Sequence, residues 1–173
     1  MKKAWLLVGL LGLGLAGCVK LPTNVEPVSG FEADRYLGTW YEIARLDHSF
    51  EQGLSRVTAE YSLREDGGIR VLNKGYSQAK GEWQEAEGKA YFVEDQQTGY
   101  LKVSFFGPFY GAYGIFGLDQ QDYRFSWVSG PNTDYLWLLA REPQIDEQDK
   151  QAFVERAAEL GFDTEALIWV EHE

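Results

Sequence analysis

Between Gly38 and Arg141, apolar and polar positions alternate in short runs, each cut by glycine, proline, asparagine or acidic residues. Such alternation is the mark of strands buried on one face. The runs predict strands at 39–46, 56–63, 69–76, 85–93, 100–106, 112–118, 123–128 and 135–141. The stretches REDGG at 64–68, EDQQTG at 94–99, GPFYG at 107–111, DQQD at 119–122 and SGPNTD at 129–134 read as the connections. Eight strands joined by hairpins predict an all-β domain, an antiparallel up-and-down barrel, with a two-sheet sandwich as the alternative. A closed barrel of that size is wide enough for one small ligand. A helix pattern follows. Asp146 is placed as its N-cap, Glu147 and Asp149 lie in its first turn, and Phe153, Val154, Ala157 and Leu160 form one apolar stripe. Gly161 is placed to end it, and 167–170 reads as a short last strand. A lone C-terminal amphipathic helix must bury its stripe against the outside of the barrel.

The first residues change the picture from a domain to a domain with an address. Lys2 and Lys3 precede an apolar stretch, 4–15, too short to cross a bilayer. Leu15-Ala16-Gly17-Cys18 then resembles a bacterial lipobox, which implies removal of 1–17 and attachment of lipid to Cys18. Val19 in place of an aspartate implies sorting to the outer membrane of a Gram-negative cell. Residues 18–30 read as the lipidated end and an extended tether, and 31–173 as the barrel domain. Cys18 is the sole cysteine, so no thiol remains for a disulfide, a metal or a nucleophile. The formal charge is -11 and becomes -13 once Lys2 and Lys3 are removed, which argues against a nucleic-acid partner. Aromatic residues make up 15% of the chain, a share suited to strands and to an apolar cavity wall.

Three features then converge: Gly38-x-Trp40 at the first strand, YLWLLAREP ending the eighth with Arg141, and a helix just after it. Together they resemble the lipocalin family, and Tyr36–Phe50 and SFFGPFYGAY at 104–113 resemble its bacterial outer-membrane lipoprotein members. The middle motif of the family, Thr-Asp-Tyr, has only Asp119 in Leu118-Asp119-Gln120, and the literal Thr133-Asp134-Tyr135 precedes the wrong strand. Hairpins alternate barrel ends, so Trp40 and Arg141 fall together at the closed end. There a guanidinium on an indole would contribute about 0.5–2 kcal/mol. Gly38, Trp40 and Arg141 are therefore expected to form a structural floor, with Gly38 leaving room. By the same alternation Phe50, Leu54, Phe109 and Tyr110 belong to the mouth, as a greasy rim that meets lipid or a second subunit in a homodimer.

Alternation also assigns a wall. Val57, Ala59 and Tyr61, then Ile69, Val71 and Asn73, then Leu101, Val103 and Phe105 face inward. Counting back from Arg141 adds Leu139, Trp137 and Tyr135, and the family register adds Tyr113, Ile115, Ser126 and Val128. Phe125 and Trp127 are expected outside, under the helix. The expected ligand-binding set is Val57, Ala59, Tyr61, Val71, Asn73, Val103, Phe105, Tyr113, Ile115, Val128, Trp137 and Leu139. Parity leaves almost no basic residue inside above the floor, with Arg56, Arg70, Lys102 and Arg124 facing out. Glu42 is expected to be hydrogen-bonded near the floor.

The chain has no GxSxG elbow, no HExxH and no glycine-rich phosphate loop. Its two histidines, His48 and His172, have no partner in a strand; a haem on His48 is disfavoured. No enzyme, metal or cofactor is expected. The reading is a protein that carries or stores a single-chain amphiphile, a lysophospholipid or a long-chain fatty acid, at the outer membrane. It would be held to the membrane through Cys18. The rivals are a structural or chaperone-like envelope lipoprotein with a self-filled barrel, and a lipid-modifying enzyme.

Overall fold

The computed structural model describes residues 19–173; the leader and Cys18 lie outside the described residues. Eight strands run β1 (Gly38–Arg45), β2 (Leu54–Leu63), β3 (Ile69–Ser77), β4 (Glu82–Phe92), β5 (Tyr100–Phe106), β6 (Phe109–Leu118), β7 (Phe125–Ser129) and β8 (Leu136–Ala140). Each pairs antiparallel with its neighbour, and β1 pairs with both β8 and β2, which closes the barrel. The sandwich alternative is thereby excluded. Strand bounds differ from the sequence reading mainly at the open end. There β4 begins at Glu82 and β6 at Phe109, so Phe109 and Tyr110 are strand residues rather than loop.

The core divides into two layers. Inside the barrel lie Trp40, Tyr61, Val71, Ile115, Val128 and Leu139; outside lie Ile43, Leu136, Leu138, Phe153, Ala157 and Phe162. The second layer forms under α2 (Glu147–Glu159), where Trp127 meets Phe153 at 5.9 Å between ring centroids. Asp146 occupies the N-cap position but its side chain makes no cap bond. At the other end the Gly161 N–H donates to the Ala158 carbonyl and the Phe162 N–H to that of Ala157. This double cap needs the left-handed residue that Gly161 supplies, at φ +91°.

Three additions complete the barrel. A short helix, α1 (Ala33–Tyr36), crosses beneath the closed end and buries Phe31 and Tyr36 there. The C-terminal strand β9 (Ile168–Trp169) pairs with the upper part of β1, where β1 and β2 have parted beyond the Tyr41–Thr58 pair. Val170 donates to the Ile43 carbonyl and Arg56 donates to the Glu171 carbonyl, so the last residues fill this seam. Residues 19–30, read from sequence as an extended tether, lie along the barrel wall instead. The Tyr100 hydroxyl donates to the Val19 carbonyl at 2.6 Å, Val28 donates to the Ile115 carbonyl, and the Gly99 N–H donates to Val28. Val25 is buried with the helix-side layer, and Leu21 sits so close over Gly114 that a Cβ there would clash with it. A few apolar side chains in a proline-containing stretch suffice for docking, a signal that the absence of a helical or strand period hides.

Candidate functional site: a barrel lumen with a closed floor and an aromatic rim

The floor is built from three stacked parts. Trp40 is fully buried, and its indole N–H donates to the Tyr36 carbonyl at 2.8 Å. The Arg141 guanidinium carbon lies 3.9 Å from the Trp40 ring centroid. Its N–H groups donate to the carbonyls of Thr39, Arg35 and Leu37 at 2.9, 2.7 and 2.9 Å. Arg141 thus ties α1 to β1 beneath the indole. Gly38 owes its place to backbone conformation more than to space. Its φ is +93°, and an added Cβ would meet Arg141 only at an ordinary 3.5 Å.

Above the indole lies a layer that alternation does not reveal. The Tyr36 hydroxyl is 2.9 Å from those of Tyr113 and Ser126, and the Tyr113 hydroxyl is 2.8 Å from that of Tyr61. Burial pushes the Tyr36 phenol up to about 12 and those of Tyr61 and Tyr113 well above the usual value, so all three remain neutral donors. The space enclosed by Tyr36, Tyr61, Ile69, Ala90, Leu101, Val103 and Tyr113 is about 10 Å³, about enough for one water molecule. The lower part of the barrel is filled by its own side chains.

The expected ligand wall therefore splits in two. Val57, Ala59, Tyr61, Val71, Ile115, Val128 and Leu139 are buried, most of them in the filled part. Asn73, Val103, Tyr113 and Trp137 face inward by register, and Phe105 packs on the inner layer; all five are only half-buried, and Val103 and Tyr113 also line the small enclosed space. Asn73 lies between Ala59 and Ala86, two small neighbours, and its carbonyl oxygen has no partner.

The mouth departs further from expectation. A bulge in β1 between Glu42 and Ala44 makes Ile43 the extra residue, and parity slips by one. Glu42 pairs with Leu139 and Arg45 with Trp137, so both point inward, whereas simple alternation would have turned Arg45 out. Arg45 is fully buried, which corrects the reading that the interior holds almost no base above the floor. Its guanidinium donates to Glu42 Oε1 at 2.8 Å and to the carbonyls of Glu51 and Leu54; its Nε is buried without a partner. Glu51 is also buried, accepts from Trp137 Nε1 at 3.1 Å, and lies 2.9 Å from His48 Nε2. Burial, then the Glu51 charge, holds the Glu42 carboxyl well above its usual range. Burial alone would raise Glu51 too, but His48, the Trp137 N–H and Arg45 outweigh it and hold that carboxyl low.

His48, expected as a plain loop residue, packs against Phe50, Tyr135 and Trp137, and the loop after β1 thus folds over one side of the mouth. Phe50 and Phe109 are exposed at the open end. Leu54 points inward beside Gly75 and Val57 instead of forming the rim. Tyr110 lies on the outer wall, against Lys102 and Tyr91, because β6 alternates Tyr110 out, Gly111 in, Ala112 out and Tyr113 in. Trp83 and Phe106, unassigned from sequence, join the exposed set. Among the described residues no three histidine, cysteine or acidic side chains gather as a metal site.

A closed eight-stranded barrel with a plugged floor, an open mouth and an outer helix defines a ligand-binding protein of the lipocalin type. The chain belongs to the lipocalin family: the model of the lipocalin-like domain matches residues 31–172. It is 61% identical over 159 residues to outer membrane lipoprotein Blc of Vibrio cholerae, covering 92% of this chain and 93% of that one. It is 55% identical over 150 residues to outer membrane lipoprotein Blc of Escherichia coli K12, covering 87% and 84%. The solved structure of insecticyanin from Manduca sexta superposes with a TM-score of 0.68 at 20% identity, covering 86% of this chain and 85% of that one, a likeness of fold. The lipobox-like start and these relatives agree: the protein is an outer-membrane lipoprotein.

Proposed function

We propose that the protein binds a single-chain amphiphile, with its acyl chain in the upper lumen and its headgroup at the mouth, and carries or stores it at the outer membrane. The observation that carries this is the half-buried inward wall of Asn73, Val103, Phe105, Tyr113 and Trp137 above a sealed floor. The chain would descend to the tyrosine layer. Each methylene taken from water contributes about 0.8 kcal/mol, so affinity should rise steeply with chain length. The protein acts by burial, not by chemistry, and Cys18 is the residue that receives the anchor.

A lysophospholipid fits better than a free fatty acid. Arg45 does lie inside, but its charge is engaged by Glu42 and two carbonyls, and Glu51 stands beside it. A fatty carboxylate would meet the Glu51 charge beside an Arg45 whose N–H groups are already engaged, which is costly in a low-dielectric site. A zwitterionic headgroup left at the mouth avoids that cost. The filled lower barrel supports a second reading, an envelope lipoprotein whose barrel holds nothing. Native mass spectrometry of protein purified without detergent separates the two. Bound single-chain lipid is expected, with Trp137 fluorescence responding to titration and Val103→Asp abolishing the response. A fatty acid binding about tenfold more tightly than the lysophospholipid of equal length would reverse the preference.

A further inference from the structure

We propose that a recess on the outer wall, between β4 and β5, binds a phosphate group through Ser104, Lys89 and Arg64, apart from the lumen. Four serines are buried among the described residues: Ser77, Ser104, Ser126 and Ser129. Three of them have partners. The Lys80 N–H donates to the Ser77 hydroxyl, Ser126 bonds the Tyr36 hydroxyl, and Ser129 donates to the Gly130 carbonyl. Ser104, at 4% exposure, has none. A buried hydroxyl left without a partner is destabilising, so it marks a place where a ligand completes the bonding. This hydroxyl does not belong to the barrel interior. Ser104 is the register partner of Lys89, and the next residue along β4, Ala90, lies in the inner layer, so Lys89 and Ser104 stand on the outer face. The recess there has a volume of about 200 Å³ and is bordered by Arg64, Glu87, Lys89 and Ser104, with the chain at Gly88 and Gly107. Pockets for whole drug-sized ligands run to roughly 300–1,000 Å³, so this one suits a single chemical group.

The charges around the recess select an anion. Its acids are engaged elsewhere: Glu87 holds Arg70 at 2.6 Å, and Asp66 accepts from Arg64, the Tyr91 hydroxyl and the Gly68 N–H. Glu85, farther along β4, is bound to Lys74 at 2.9 Å. Lys89 has no acidic partner among the described residues, and neither has Lys102, the next outward position on β5, which rests 5.0 Å from the Tyr110 ring centroid. Arg64 uses Nε and Nη2 on Asp66, and its Nη1 makes no hydrogen bond. The recess thus offers an ammonium, a guanidinium N–H and a hydroxyl, all able to donate. A phosphate group has oxygens enough to accept from all three at once, whereas a carboxylate has only two. The chain carries -11 overall, so affinity for an anion has to come from these donors and not from the general field. A free phosphate ion and a phosphate monoester on a larger molecule present this same chemistry.

The test follows thermal melting of the full lipidated chain in detergent micelles. Inorganic phosphate is titrated in, and potassium chloride of matched ionic strength controls for screening. Phosphate is expected to raise the melting temperature beyond chloride, since a ligand of the folded state stabilises it by mass action. Without phosphate, Ser104→Ala is expected to melt no lower than the parent, because it deletes a donor that has no partner. With phosphate, the dissociation constant should rise about fivefold in Ser104→Ala and about tenfold in Lys89→Gln. Glycerol 3-phosphate distinguishes the sources. Tighter binding than inorganic phosphate supports a site for a phosphorylated headgroup, and weaker binding supports a site for the free ion. Phosphate that acts no better than chloride overturns the proposal, as does an equal response to phosphate in the parent and both variants. A Ser104→Ala chain that melts well below the parent without phosphate overturns it too, since the hydroxyl would then be structural. The Trp137 fluorescence response to lysophospholipid should be the same in Lys89→Gln as in the parent. Its loss there would place the cation in the path of the lipid and overturn a site apart from the lumen.

Discussion

At the scale of single residues, the bulge at Ile43 decides which charges enter the barrel, and the floor decides how the barrel is closed. With Glu42 and Arg45 both inside, their bond is shielded from solvent and sensitive to pH. The unfolded chain loses the Glu42 proton near the usual carboxylate value of 4.5, whereas the folded chain keeps it because burial and Glu51 oppose the charge. The folded state then holds the extra proton, so stability falls as pH rises above that value until the folded carboxyl itself ionises. Glu51 acts in the opposite sense: its contribution is present above 4.5 and is lost as pH falls through its lowered folded value. Glu42→Gln keeps an acceptor for Arg45 and removes the first effect. Urea unfolding between about pH 5 and 8 should therefore decline less with pH in this variant. Each tenfold difference in proton affinity between folded and unfolded Glu42 is worth about 1.4 kcal/mol, and the substitution abolishes it. At the floor, Trp40→Ala should cost about 3–5 kcal/mol, the range for deleting a buried aromatic. Arg141→Ala should cost about 2 kcal/mol through the lost cation–π contact and charge-assisted bonds. Melting temperatures unchanged in both would refute the floor.

At the scale of elements, the two chain ends act as straps on a barrel that its eight strands do not fully seal. The β1–β2 ladder covers only Gly38–Tyr41 of β1, and the rest of that seam is bridged by 168–172. Arg56 donates to the Glu171 carbonyl, and His172 Nε2 lies 2.7 Å from the Glu42 carbonyl. Deleting 168–173 should leave the barrel folded, since both core layers draw their buried residues from elsewhere. It should open the seam: hydrogen exchange at the Arg56 amide should accelerate by more than about tenfold relative to amides of β5 and β6. Equal protection in the truncated and full chains would show that the seam closes without the tail.

At the scale of the molecule, the fold separates three tasks along one axis. The closed end is sealed by Trp40 and Arg141, the tyrosine layer stands above it, and Phe50 and Phe109 are exposed at the open end. The overall charge is -11, and in the closed-end turns Asp66 pairs with Arg64 and Asp119 with Arg124.

The sequence by itself determined the barrel, its direction and its two ends. Period-two alternation and turn residues are local properties, and hairpins force consecutive connections to opposite ends, so Trp40 and Arg141 had to meet. The inward positions of β2, β3, β5 and β8 were legible for the same reason. Only the tertiary structure decided where that period breaks. A bulge adds one residue and leaves no composition signal, so parity turns Arg45 outward although it lies within. Only the assembled barrel, likewise, shows that residues 19–30 dock, because their apolar side chains follow no period and find partners only on a finished wall. The tyrosine layer depends on Tyr36, delivered by a helix of four residues, Ala33–Tyr36, too short to read from its pattern. How deep the lumen runs is a matter of packing between distant strands, and no run of neighbouring residues carries that information.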